Sequence, residues 1–309
     1  MTTALATIQP KTVKFEDVLQ LVLDALPAAE TRRKYKQQLM DFAAWAMTNN
    51  ATFDRISVAR YRTLLIKQGK KPPSVNQALT AIRKFAVQAA LNGLLSEQCA
   101  FQVQQVPPVK QRGSHSGRWL TLKQAQALIL APDPRRGKGV RDRMILALMV
   151  GCGLRRSEVA NVEFSQIEQR EGRWVIVDLR GKGGRIRTIP MPRWVKYAID
   201  QWAAAAQLHE GRVVRPMNTH DYLLDSDGPI NGESLRRVVE YYGAMINLRL
   251  KPHDLRRTCA KLSRKSGGLL EQIQLMLGHA SIVTTQRYLG TTQDLEEAPN
   301  DLIDLKWKT

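Results

Sequence analysis

Several short stretches of this chain combine residue types suited to work on an anion. "GLRRSE" sets Arg155 three positions before Glu158. On a helix that spacing places both on one face, about a turn apart. The carboxylate can then orient the guanidinium, although a surface ion pair of little consequence has the same spacing. "HDLRRT" sets His253 three positions before Arg256. A guanidinium donates paired hydrogen bonds to two oxygens, and an imidazole exchanges protons near neutral pH; a solvated helix face reads alike. "GKGGR" carries Lys182 on a glycine-rich tip, where backbone freedom lets a loop deliver an ammonium into a site or leaves it in water. "LGHASIVTTQRYLG" holds His279 after a glycine at a helix end, Ser281 as a cap for the next helix, and Tyr288 nine positions beyond the histidine. A tyrosine nucleophile needs a phosphodiester whose charge is neutralised, donors for the trigonal-bipyramidal transition state, and an acid for the departing oxygen. Two arginines, two histidines and a lysine are the types that supply those parts. The alternative for Tyr288 is packing in a helix.

The elements that must position these residues are mostly helical. Apolar residues recur at helical spacing in "FEDVLQLVLDAL" and "TRRKYKQQLMDFAAWAMTNN", the second with Thr31 as expected N-cap. "SVARYRTLLIKQG", starting at Ser57, and "SVNQALTAIRKFAVQAALNG", opening behind "KKPP", complete four helices with basic polar faces. "VPPVKQRGSHSGRW" (106–119), rich in proline, glycine and serine, reads as an extended solvated linker with a boundary near residue 113. Beyond it Thr121 can cap a helix, and a second helix turns through glycine into a third near Arg155. β-Branched residues and Trp174 flanking "GKGG" predict a hairpin, after which helices return. The expected fold is mainly α with a small antiparallel β-sheet.

Composition sets limits. The 309 residues, 43% of them hydrophobic, fit two domains with real cores. Lys+Arg 47 against Asp+Glu 28 leaves +19, an electrostatic footprint for a polyanion such as nucleic acid. Residues 1–112 carry +9 and the remainder +10, so both halves are basic. Cys99, Cys152 and Cys259 lack CxxC spacing, which argues against a zinc site or disulfide scaffold and suits a reducing cytosol. "GKGGR" does not satisfy GxxxxGK[ST], and Arg156 stands where GxGxxG needs its third glycine, so no nucleotide cofactor is expected. The N-terminus lacks signal-peptide character, and "MILALMVGCGL" is too short to span a bilayer. A soluble, cytoplasmic protein with no membrane partner is expected.

GLRxxE, a GKG hairpin, HxxR and LGHxS with a tyrosine nine residues beyond the histidine, in that order, resemble the tyrosine recombinase (phage integrase) family, in its Xer-like or transposon-type members. The resemblance runs through residues 118–290; the helical module and basic linker before it look more weakly like that family's N-terminal core-binding domain. It implies a four-helix SAM-like core-binding domain at 14–105, a linker at 106–118, an α+β catalytic domain at 119–290 and a tail at 291–309. It also implies DNA strand exchange through a 3′-phosphotyrosyl intermediate and a Holliday junction, without metal, ATP or other cofactor. Tyr288 would be the nucleophile, Arg155 and Arg256 would hold the non-bridging oxygens, and Lys182 would protonate the leaving 5′-oxygen. His253 would assist proton transfer, His279 would hydrogen-bond the phosphate, and Glu158 would support the arginines. Double-stranded DNA, a homo-tetramer on synapsed sites and a nucleoid-associated location follow from the same resemblance, with a second recombinase or a DNA-bending protein as a further partner of the class. Cys152 departs from a frequent threonine, and Arg257 and Arg264 add charge beside HxxR; neither removes a catalytic group.

Other readings share the chemistry or the binding: a topoisomerase IB-like or hairpin-forming resolvase, and a non-cleaving DNA-binding accessory paralogue. The two-domain layout disfavours the first, and the intact residue set disfavours the second. The tail "TTQDLEEAPNDLIDLKWKT" turns acidic and ends apolar, which suggests docking on a neighbouring subunit in trans, or a frayed terminus.

Overall fold

The computed structural model describes residues 13–110, 118–181, 184–218, 220–224, 228–279 and 281–289, with Arg287 and Tyr288 described by their backbone alone. The chain divides into two compact units, residues 1–114 and 115–309.

In the first unit, α1 (Phe15–Asp24), α2 (Ala29–Thr48), α3 (Arg55–Lys67), α4 (Pro72–Leu91) and α5 (Glu97–Gln104) follow one another. Helix α4 is the axis: Val75, Leu79, Ile82, Phe85 and Ala89, three or four residues apart, are all buried. Around it Phe42 meets Tyr61 at 5.1 Å and Phe53 at 5.3 Å between ring centroids. Helix α2 begins two residues before the expected cap Thr31, and this places Glu30 in the first turn, where the helix dipole favours it. Helix α3 likewise starts before Ser57, because the Asp54 carboxylate accepts the Ser57 N–H at 2.8 Å and caps it. Helix α5, capped by Ser96, is additional to the four helices read from the pattern. Residues 106–110 do not run free as solvated linker. Val106 is buried, Arg83 donates to its carbonyl, and Asn76 exchanges two hydrogen bonds with the Val109 backbone, at 2.7 and 3.0 Å.

The second unit is built round α7 (Gly137–Gly151), whose residues Met144 to Val150 are all buried. A helix apolar on every side belongs in a core. Helix α6 (Leu122–Leu130), α8 (Arg156–Asn161), α9 (Arg193–Ala206), α10 (Gly232–Met245) and α11 (Pro252–Lys265) complete the main body. Thr121 caps α6 as expected. The antiparallel sheet has order β1-β2-β3, with β1 Ile167–Arg170, β2 Arg173–Arg180 and β3 Ile186–Pro190. Ile176 of β2 faces Ile167 on one side and Ile189 on the other. Two short helices, α12 (Leu270–Leu277) and α13 (Ile282–Leu289), close the described chain. Among the described residues no helix is long and apolar enough to cross a membrane.

Candidate active site

The link from α7 to α8 starts the site. Gly153 has φ +62°, in the left-handed region that glycine tolerates. A Cβ there would come within 3.0 Å of the Leu277 side chain and 3.2 Å of Cys259 Sγ, so this turn presses directly on α11 and α12. Arg155 follows at the start of α8. Its backbone N–H donates to Glu158 Oε2 at 2.8 Å and its guanidinium to Oε1 at 2.7 Å. Glu158 is buried, and a second arginine, Arg187 of β3, grips it with two donors at 3.0 and 2.9 Å. Burial alone would raise the Glu158 carboxyl. The hydrogen bonds and charge of Arg187, with the donors of Arg155, outweigh it and hold the group below its ordinary value.

Helix α11 opens at Pro252, and the Lys251 N–H donates to Asp254 Oδ2 at 2.9 Å. One turn separates His253, which is exposed, from Arg256, which is 1% exposed. Arg256 donates to the Gly153 carbonyl at 2.5 Å and to the Leu277 carbonyl. Leu277 is the last residue of α12, where helix carbonyls have no intrahelical donor and carry partial negative charge. Three arginines serve that end: Arg256 and Arg155 at Leu277 O, the latter at 3.4 Å, and Arg187 Nε at Met276 O, 3.0 Å. Gly278, with φ +62°, then turns the chain toward His279.

His279 Nδ1 lies 2.9 Å from Oγ1 of the buried Thr285 on α13, whose start is capped by Ser281 as expected. Burial and the positive charges of Arg256, Arg155, His253 and Arg187 push the His279 pKa down to about 4. Desolvation, then the charges of Arg256 and Arg257, lower His253 as well. Leu289 packs against Ala260, Ile273 and Leu277, fixing α13 to α11 and α12. Tyr288 belongs to the last turn of α13, one helical turn beyond Thr285; its side chain lies outside the described atoms. Lys182, between β2 and β3 in the sequence, lies outside the described residues, as does the tail from residue 290.

Arg155, Glu158, His253, Arg256 and His279 therefore converge on one locus, from three separate stretches of sequence. A cavity of about 610 Å³ opens there, lined by Arg155, Arg156, His253 and Arg256 together with Asn161 and Asn231. The Glu158 carboxylate is already held by two arginines, so the net field on the locus is positive. Such a site draws in an anion, offers it forked donors, and keeps a neutral imidazole beside it at physiological pH. Among the described residues no group of three or more His, Cys, Asp or Glu could hold a metal ion.

Arg187 and Thr285 were not legible as site residues. The available signal for Arg187 is period-two: it shares a strand face with the buried Ile189, an unusual place for a charge without a partner. For Thr285 the sequence holds no comparable sign.

A helical unit with a three-stranded sheet and a cationic, anion-accepting locus defines the class, and comparison with known proteins defines the family. Residues 118–294 match the Phage integrase family, and the chain belongs to it. It is 28% identical over 264 residues to "Tyrosine recombinase XerC" of Thermodesulfovibrio yellowstonii, covering 84% of this chain and 85% of that protein. It is 28% identical over 275 residues to "Tyrosine recombinase XerD" of Pseudomonas aeruginosa, covering 84% and 86%. In fold it resembles the XerH site-specific recombinase bound to palindromic difH substrate, with TM-score 0.69 and 16% identity over 91% of this chain and 82% of that one. It also resembles a lambda integrase dimer bound to a COC′ core site, with TM-score 0.67 and 16% identity over 92% and 79%.

Proposed function

We propose that Tyr288 is the nucleophile of this site-specific DNA recombinase, an enzyme that cleaves and rejoins DNA strands. The Tyr288 oxygen attacks the scissile phosphorus, the bond to the 5′-oxygen breaks, and Lys182 supplies the proton that makes the 5′-hydroxyl. A 5′-hydroxyl from the partner strand then attacks the phosphotyrosyl phosphorus and releases Tyr288. Two such exchanges pass through a Holliday junction, and energy is conserved in the covalent link without ATP or metal. Arg155 and Arg256 hold the non-bridging oxygens, His279 donates a hydrogen bond to the phosphate, and His253 moves the proton of the nucleophile. Glu158 keeps the Arg155 guanidinium aimed.

The observation that carries this reading is the gathering of Arg155, Arg187 and Arg256 around the single buried carboxylate of Glu158, beside His253 and His279. Several cations gathered without a matching number of carboxylates favour a polyanion, and charge preorganised in this way stabilises a pentavalent phosphate. Double-stranded DNA is the partner that fits both this locus and the basic residues 1–112, within which we assign 14–105 as the core-binding domain. Residues 119–290 are then the catalytic domain, with 106–118 joining them. The protein works with the nucleoid in the cytoplasm.

The test is a nicked suicide substrate carrying the DNA site that flanks the gene. Wild type is expected to give a covalent protein–DNA band, and Tyr288→Phe to lose it by about 10⁴-fold or more while still binding DNA. Tight binding by wild type with no band would favour a non-cleaving accessory role. The tail is assigned to docking on a neighbouring subunit, which links active sites in a tetramer. Deleting residues 301–309 is then expected to weaken synapsis in a gel-shift assay, and unchanged tetramer assembly and strand exchange would refute the docking.

A further inference from the structure

Arg187 makes more directed contacts at this locus than any role named so far requires. Its Nη1 and Nη2 take one oxygen each of Glu158, at 3.0 and 2.9 Å, and its Nε takes the Met276 carbonyl at 3.0 Å. The side chain is 9% exposed. A Cβ at Gly278 would come within 3.0 Å of Arg187 Cδ, so the turn leading to His279 lies directly on the arginine stem. One planar group thus joins three elements: β3, which carries it; α8, through Glu158; and the end of α12, from which the His279–Tyr288 segment departs.

We propose that Arg187 is a positioning residue for strand cleavage, locking the Glu158 carboxylate and the α12 terminus together so that the Arg155 guanidinium and the His279–Tyr288 segment stand in register. The proposal rests on Tyr288 being the nucleophile. Without Arg187, the Glu158 carboxylate is held by the Arg155 backbone N–H and guanidinium, that is, only by the residue it must aim; gripped on both oxygens by Arg187, it has an anchor independent of Arg155. The Nε bond adds what a charge by itself cannot, a link to a helix end whose carbonyl lacks an intrahelical donor. Lysine at this position keeps the charge but presents a single ammonium, unable to span the carboxylate and the carbonyl in one plane. Misplacement of reacting groups by about 1 Å is enough to lower a rate by about 10²-fold.

The experiment compares the parent protein with Arg187→Lys and Arg187→Gln at a temperature where circular dichroism shows all three folded. Covalent adduct formation on the nicked substrate is followed in a single turnover, and DNA affinity is measured in the Tyr288→Phe background. Both variants are expected to form adduct about 10²-fold more slowly, with affinity changed by no more than about threefold. The His279 imidazole, followed by NMR without DNA, provides a second reading. Its pKa is expected to rise in Arg187→Gln, which removes a charge, and to stay low in Arg187→Lys, which keeps it. Slow cleavage by a folded Arg187→Lys with its field intact would establish that geometry is what Arg187 supplies. Cleavage by Arg187→Lys at the parental rate would overturn the proposal, and that variant still decides the matter if Arg187→Gln does not fold. Absence of adduct in the parent would instead overturn the reading of Tyr288, so the two failures are told apart within one gel.

Discussion

Residues 1–112 and 113–309 carry almost the same net charge, +9 and +10, yet the two units place charge differently. In the first unit the only buried polar side chain among the described residues is Ser57, and the interior is aliphatic and aromatic. The second buries Arg141, Asp142, Glu158 and Arg256 together with Thr258 and Thr285. Burying charge is costly unless each group is paired and hydrogen-bonded. Surface attraction for a polyanion needs no buried cation, and among the described residues of the first unit no lysine or arginine is buried. Orienting an anion instead requires arginines fixed by partners, and the second unit holds Arg187 and Arg256 in a shell of carbonyls and a carboxylate. Equal charge therefore hides two arrangements: no buried cation among the described residues of one unit, and cations held in the interior of the other.

Three substitutions sharpen this contrast. The largest effect is expected for Arg256→Gln. In the mechanism we propose it takes forked donors from the phosphate, and it is expected to slow covalent adduct formation by about 10²- to 10³-fold. The Gly153 and Leu277 carbonyls also lose a charged donor, which is expected to lower stability by about 1–3 kcal/mol in urea denaturation. Unfolding of the first unit is expected to be unaffected; a matching loss there would break the separation of roles.

Phe42→Ala is the converse. Phe42 stacks on Trp45 and meets Phe53 and Tyr61 edge-to-face in the first unit, and deletion of a buried phenyl ring is expected to cost that unit about 3–5 kcal/mol. A calorimetric scan should show the loss, while an NMR titration should leave the pKa of His279 in the second unit in place.

The smallest effect is expected for Glu158→Gln, about 2 kcal/mol at neutral pH, because the amide keeps the volume and part of the bonding. Here pH is diagnostic. The folded-state carboxyl lies below the ordinary value of 4.5. Its contribution is thus complete above that value and disappears as the pH falls through the folded pKa. The stability difference between parent and variant is expected to narrow as urea denaturation is moved from pH 7 toward pH 3. A constant difference would mean that packing rather than charge holds Glu158.

Much of the architecture was legible because local physics dictates it. The apolar repeats of α1 and α4, the cap Thr121 and the β-branched run around Trp174 specify elements whatever lies beside them. The start of α2 and the existence of α5 were less so, since an eight-residue helix is stabilised mainly by the core it joins. The return of residues 106–110 onto α4 depends on Asn76, 33 residues before Val109, and Arg83, 23 residues before Val106, and a proline-rich composition does not announce it.

The sequence by itself determined which chemical groups this protein owns and their order: GLRxxE, GKG, HxxR and LGHxS ahead of Tyr288, within a basic chain. Those are properties of residue type and short spacing, where helix and turn periodicity suffice. Only the tertiary structure decided how the cations are held. Three arginines meet at the C-terminal carbonyls of α12, and Arg187, distant from both other partners in the chain, is the second grip on Glu158. The reason is that a buried charge is satisfied by whatever donor or acceptor the fold brings within about 3 Å, and that distance is set by packing between elements, not by position along the chain.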